Sequence, residues 1–224
     1  MPDTTILEPL EADQWFVDSQ DLREFVTQAR EISLSTAHNR EETLSALEPH
    51  FAALLKKTDW LPEQFAQPNP GSGLGGGIGQ WLLFRAQDRS LSVFSLVIPP
   101  GSKTPIHDHL SWGLVGLYKG EQEETVYRRV DNGELAGYAQ LEIVGVYQVQ
   151  RGSIYRLLPP DGDIHSVKAT TVFAPSVSIH VMGNDTGSIL RHQYQLEQNT
   201  VRSFRSGYSN APYKEQRTDY AKFH

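Results

Sequence analysis

The chain contains no cysteine. That excludes disulfides, thiolate zinc and iron–sulfur sites, and a cysteine nucleophile, and it leaves histidine, carboxylate or backbone oxygen as metal donors. No apolar run approaches the ~20 residues needed to span a bilayer. The N-terminal "MPDTTILEPLEADQW" is acidic and has no apolar signal core. These two absences set the expectation of a soluble, cytoplasmic protein without a membrane partner. Runs of lysine or arginine are also missing, and 27 acidic against 20 basic residues give a formal charge of −7. An acidic surface argues against a nucleic-acid backbone as partner. No fixed-period repeat and no heptad pattern is present.

With 224 residues and 38% hydrophobic residues, the chain has the size of one large domain with extensions and is long enough for a substantial core. Residues 1–66 read as a helical extension. "SQDLREFVTQAREI" places Leu22, Phe25, Val26, Ala29 and Ile32 on one helical stripe, with Ser19 or Asp21 as cap. "NREETLSALEPHFAALLKK" does the same with Leu44, Leu47, Phe51, Leu54 and Leu55 behind Asn39, and Pro49 is expected to bend or divide it. Residues 67–80 form a Gly-rich linker. Gly71, Gly73 and Gly76 match G-x-G-x-x-G, but no strand precedes them and "QWLLFRA" after them reads as strand, so a dinucleotide site is not favoured. From 81 to 224 the signals are short strands separated by turns, nine of them from "QWLLFRAQ" to "SILRHQYQL". Asp131-Asn132-Gly133 signals a hairpin, and the polar tail after about 197 reads as an irregular arm. The pattern is mainly β, a sandwich or small barrel.

In "GSKTPIHDHLSWGLVGLYKG", strand alternation puts His107 and His109 on one face and Asp108 on the other. Two converging imidazoles suggest a metal. His165 follows a turn in "LLPPDGDIHSVKA", and His180 lies between apolar neighbours in "SVSIHVMG". His38, His50 and His224 read as solvated or capping residues.

The pattern Gly101-x5-His107-x-His109-x3-Gly113-x6-Gly120 resembles the first cupin motif, and Pro160-x-Gly162-x2-His165 resembles the second. The resemblance implies a double-stranded β-helix, or jelly-roll barrel, with N-terminal helices, and a metal held by His107, His109 and His165. The family's carboxylate ligand falls at Gly113, which leaves three histidines. A three-histidine site with "HDH" is similar to the thiol dioxygenases, namely cysteine dioxygenase and 3-mercaptopropionate dioxygenase. Ser178-x-His180 matches part of their Ser-x-His-x-Tyr motif, and Arg191 resembles the arginine that binds a substrate carboxylate. Two positions depart: Met182 stands in the tyrosine slot, leaving Tyr194 or Tyr118 as replacements, and the early arginine of cysteine dioxygenases aligns near Trp81, with Arg85 close by.

That resemblance implies an Fe(II) enzyme oxidising a small carboxylate-bearing thiol with O2 to its sulfinic acid, with His180 and Ser178 supporting, Arg191 anchoring, and Trp112, Trp81 and Phe94 lining the pocket. A homodimer is compatible with it. Three imidazoles also suit Zn or Ni. Two other functions stay open: carbon–carbon bond cleavage at a three-histidine metal, and a non-catalytic module binding a metal or small acid.

Overall fold

Two six-stranded antiparallel sheets face each other in a computed structural model that describes residues 7–70 and 74–211. The strands are β1 (Gln14–Trp15), β2 (Gly79–Arg85), β3 (Ser92–Ile98), β4 (Ile106–His107), β5 (Gly113–Lys119), β6 (Glu121–Arg129), β7 (Leu141–Gln150), β8 (Ile154–Leu157), β9 (Ile164–Ala169), β10 (Ser176–Met182), β11 (Arg191–Gln195) and β12 (Thr200–Phe204). One sheet runs β1-β2-β3-β10-β5-β8 and the other β12-β11-β4-β9-β6-β7. Successive strands from β3 to β10 alternate between the two sheets, except that β6 and β7 are neighbours in one sheet, which is a jelly-roll arrangement.

Helices α1 (Gln20–Ser35) and α2 (Arg40–Lys56) cover the outer face of the first sheet. Ser19 caps α1 by accepting from the Leu22 N–H at 3.3 Å, and Asn39 caps α2 by accepting from the Glu41 and Glu42 N–H groups. The stripes Leu22–Ala29 and Leu44–Leu55 bury against Val93, Val97, Ile179 and Val181. Helix α2 is continuous through Pro49, so the proline does not divide it. Proline removes only one backbone donor, and burying Leu44, Leu47, Phe51, Leu54 and Leu55 outweighs that loss.

Other local expectations change too. The N-terminal region includes the edge strand β1, paired with β2. Ile78 is buried in a core with Leu96, Ile98 and Val167, and Leu74 packs against that cluster. Gly71 and Gly73 lie outside the described residues, as does the arm from 212 on. Within the tail, Thr200–Phe204 is regular: β12 pairs with β11. Asp131 does initiate a turn, accepting from the Gly133 N–H, but the β6–β7 connection spans residues 130–140 and is no tight hairpin. No helix among the described residues is long and apolar enough to cross a membrane.

The helix layer approaches the sheet closely at Gly116 on β5. A Cβ there would lie 2.3 Å from Leu55 Cδ1 and 2.8 Å from Phe51 Cε1. Gly116→Val is expected to cost about 1–3 kcal/mol by overpacking, read as a thermal midpoint several degrees lower. A midpoint equal to wild type would show that α2 is not seated on this contact.

Candidate metal centre

The ligand nitrogens of His107, His109 and His165 lie within 4.8 Å of one another, all three residues buried. Their rings stand 4.8, 4.9 and 4.9 Å apart, centroid to centroid. His107 ends β4 and pairs across the second sheet with His165 on β9. His109 is not on a strand, because β4 stops at His107. The chain turns there, with Leu110 at φ 53°, and the Asp163 carboxylate holds the turn by accepting from the His109 and Leu110 N–H groups, both at 3.0 Å. The predicted convergence survives, but a carboxylate-pinned turn produces it and strand alternation does not.

Each ring has its Nδ1 committed. His107 Nδ1 meets the Pro105 carbonyl at 2.9 Å, His109 Nδ1 lies 3.3 Å from Asp163 Oδ1, and His165 Nδ1 meets Glu124 Oε1 at 2.8 Å. An Nδ1–H donating to oxygen leaves Nε2 as the free lone pair, the tautomer that metal-binding imidazoles need. His165 Nε2 is buried and has no hydrogen-bond partner. Three neutral nitrogen donors, aimed together and pinned from behind, fit a divalent transition metal.

Burial is the main cause that holds His107, His109 and His180 well below the ordinary imidazole range, with neighbouring imidazoles and the Arg191 cation adding to it. These rings stay neutral, as metal ligation requires. His192 moves the other way, raised by its hydrogen bond to Asp108.

The expected second layer is partly assembled. His180 lies on the inner face of β10, its Nε2 3.1 Å from Ser178 Oγ, stacked on Phe94 at 4.6 Å and 6.5 Å from the His109 ring. Its Nδ1 is buried without a partner. Arg191 is buried on β11, donating to the Asp108 carbonyl and to Ser206 Oγ, and lying over the Phe204 ring, while its Nε–H has no partner.

Trp81 and Trp112 do not join the site. Trp81 packs on the helix side of β2, edge-on to Phe65, and donates to the Gln67 carbonyl at 2.7 Å. Trp112 belongs to the same outer core and floors a cleft of about 280 Å³ beside Arg30 and Arg40. Gly183 is what admits its indole, since a Cβ there would lie 2.0 Å from it. The substitutes for the missing tyrosine are also committed elsewhere: Tyr118 donates to the Thr58 carbonyl on the outer face, and Tyr194 to Asp108. Arg85 is tied to Asp185, which also takes Arg89.

Three residues of the centre escaped sequence reasoning. Glu124 and Asp163 orient ligands, and Tyr155 lies against the His165 ring at 6.0 Å, its phenol pushed well above the usual range by burial and then by Glu124. The second acid of "DGD", two residues before His165, was a usable signal for Asp163; nothing local marked Glu124 or Tyr155.

No protein-family model matches the sequence. Parts of solved structures align with about half of this chain at low identity. An oxalate oxidase in complex with the substrate analogue glycolate has 15% identity and a TM-score of 0.40, over 55% of this chain and 58% of that one. An RmlC-like cupin from Shewanella frigidimarina has 13% identity and a TM-score of 0.37, over 56% and 90%. The Cnp3 cupin domain of Schizosaccharomyces pombe has 16% identity and a TM-score of 0.36, over 52% and 72%. Likeness at this level carries no argument about a reaction.

Two outcomes are expected of the centre. Glu124→Gln removes the carboxylate behind His165 and should weaken Co(II) or Zn(II) binding roughly tenfold or more in a chelator competition; equal affinity would remove Glu124 from the metal's support. Metal-free protein should lose stability on acidification. Below about pH 6.5 the unfolded chain takes up protons that folded His107, His109 and His180 refuse, so stability falls as pH drops. His192, half-exposed, has the opposite sign, with stability present below that pH and lost as pH rises through its raised value; Asp163, its carboxyl raised by burial, has that sign too, so two groups stand against three. A urea midpoint that does not fall from about pH 7.5 to about pH 5.5 would contradict the balance.

Proposed function

We propose that the protein is an Fe(II)-dependent dioxygenase that oxidises a small carboxylate-bearing thiol to its sulfinic acid. The observation that carries this reading is the pairing of an all-imidazole metal centre with a buried guanidinium, Arg191, whose Nε–H has no partner. Neutral ligands leave a divalent ion its full charge, which suits a substrate arriving as an anion. A barrel interior makes an arginine–carboxylate contact stronger than the same contact at the surface.

Bound iron would supply the redox chemistry that places both atoms of O2 on sulfur, so that R–SH and O2 give R–SO2H with no other reductant. The protein's own part is positional. Arg191 fixes the carboxylate end through its free Nε–H. The Asp108 carbonyl and Ser206 hold that guanidinium in place and share its other donors. When the Ser178 hydroxyl donates to His180 Nε2, the buried Nδ1–H of His180 is left free to donate to a ligand. Phe94, stacked on His180, excludes water from that side.

The test is O2 uptake and sulfinate formation by the Fe(II)-loaded protein with 3-mercaptopropionate, cysteine, mercaptosuccinate and cysteamine. Uptake is expected with the carboxylate-bearing thiols and weaker or absent with cysteamine. His165→Ala should abolish it, and Arg191→Ala should raise KM roughly tenfold or more. No uptake with any thiol at full iron occupancy would overturn the reading and favour carbon–carbon cleavage or a binding role.

A further inference from the structure

Buried tyrosine hydroxyls in this barrel normally find a partner. Tyr118 donates to the Thr58 carbonyl at 2.6 Å, Tyr194 to Asp108 at 3.0 Å and Tyr208 to Asp185 at 2.9 Å, while Tyr127 Oη lies 3.3 Å from Ser166 Oγ. Tyr155 is different: its oxygen is shut off from solvent and has no hydrogen-bond partner. Native proteins leave few buried polar atoms unsatisfied, and each one asks for a cause.

Strand register places this hydroxyl. Tyr155 on β8 pairs with Val115 on β5, and Val115 pairs with His180 on β10. Directly paired residues share a face of the sheet, so Tyr155, Val115 and His180 form one row facing the barrel interior. Their neighbours Leu114 and Ile179 face the helices. From that row the phenol ring crosses to the opposite sheet and meets the His165 ring edge-on, centroids 6.0 Å apart. Glu124, the anion behind His165, already accepts from His165 Nδ1. Pure packing does not explain the oxygen, because phenylalanine would fill the same space without burying an unpaired donor.

We propose that the Tyr155 hydroxyl is the hydrogen-bond donor to an anionic ligand seated on the three-histidine metal, a thiolate if the dioxygenase reading on which this partly rests is correct. No proton changes hands; the O–H stays on Tyr155 and points at the ligand's lone pair. Such a donor selects ligands with an acceptor atom on the β8 side of the centre and gives nothing to a ligand that offers only N–H groups there. Tyr155 is in this sense a substrate-contacting residue on a different strand from Met182.

The experiment uses the full chain loaded with Co(II), whose visible and near-ultraviolet bands report ligand binding without turnover. Wild type, Tyr155→Phe and the outer-face control Tyr118→Phe are titrated with azide and with 3-mercaptopropionate, and Co(II) affinity is measured for each. Tyr155→Phe is expected to bind azide roughly tenfold more weakly, the loss typical of one hydrogen bond to a charged group. Its Co(II) affinity should match wild type and its melting temperature should be no lower, and Tyr118→Phe should bind azide normally. Azide affinity within about twofold of wild type would overturn the proposal, as would a wild-type centre whose bands do not respond to azide. A tenfold azide loss with no thiol response in any protein would uphold Tyr155 as donor and remove the thiol reading alone.

Discussion

The Asp108 carboxylate, wedged between two ligand histidines, is the contact on which the site depends. Oδ1 accepts from the His192 N–H at 2.8 Å, and Oδ2 from His192 Nδ1 at 2.7 Å and Tyr194 Oη at 3.0 Å. The backbone of the same residue donates to the His192 carbonyl and accepts from Arg191. One residue thus ties the segment between His107 and His109 to β11 and holds the arginine. A buried carboxylate is costly unless its lone pairs are filled, and here three hydrogen bonds, two from His192 and one from Tyr194, share that task.

Much of this was legible in the sequence where a period or a turn wrote it down. The helical stripes of α1 and α2 appear in the structure residue by residue, because an amphipathic helix must repeat its apolar positions every three or four residues to bury one side. The longer strands were also readable. Two-residue strands such as β1 and β4 have no period to read, and β12 is too polar to separate from a loop. Trp81 and Trp112 show a subtler failure. Strand β2, which carries Trp81, and strand β5, which Trp112 precedes, are buried on both faces, under helices outside and the barrel contents inside, so they read as continuous apolar runs. Hydrophobicity alone cannot say which face a residue takes, and the two tryptophans take the helix side.

The same logic separates the histidines from their supports. His107, His109 and His165 announce themselves by residue type and spacing. Glu124 sits in the acidic stretch "GEQEE", where nothing local distinguishes it from Glu121 or Glu123. It becomes an inward, ligand-orienting group only because β6 lies beside β9 in one particular register. Residues whose role depends on a long-range pairing stay hidden until the topology is known.

The all-imidazole character of the centre has a thermodynamic consequence. Three neutral donors offset none of a divalent ion's charge, so an anion that binds the ion also holds it in the protein. Linkage makes that reciprocal: whatever factor an anion adds to metal retention, the metal adds to anion affinity. Occupancy of such a site by a metal would then depend on the small-molecule surroundings, and a metal-loaded preparation dialysed free of anions should shed metal that it retains in their presence.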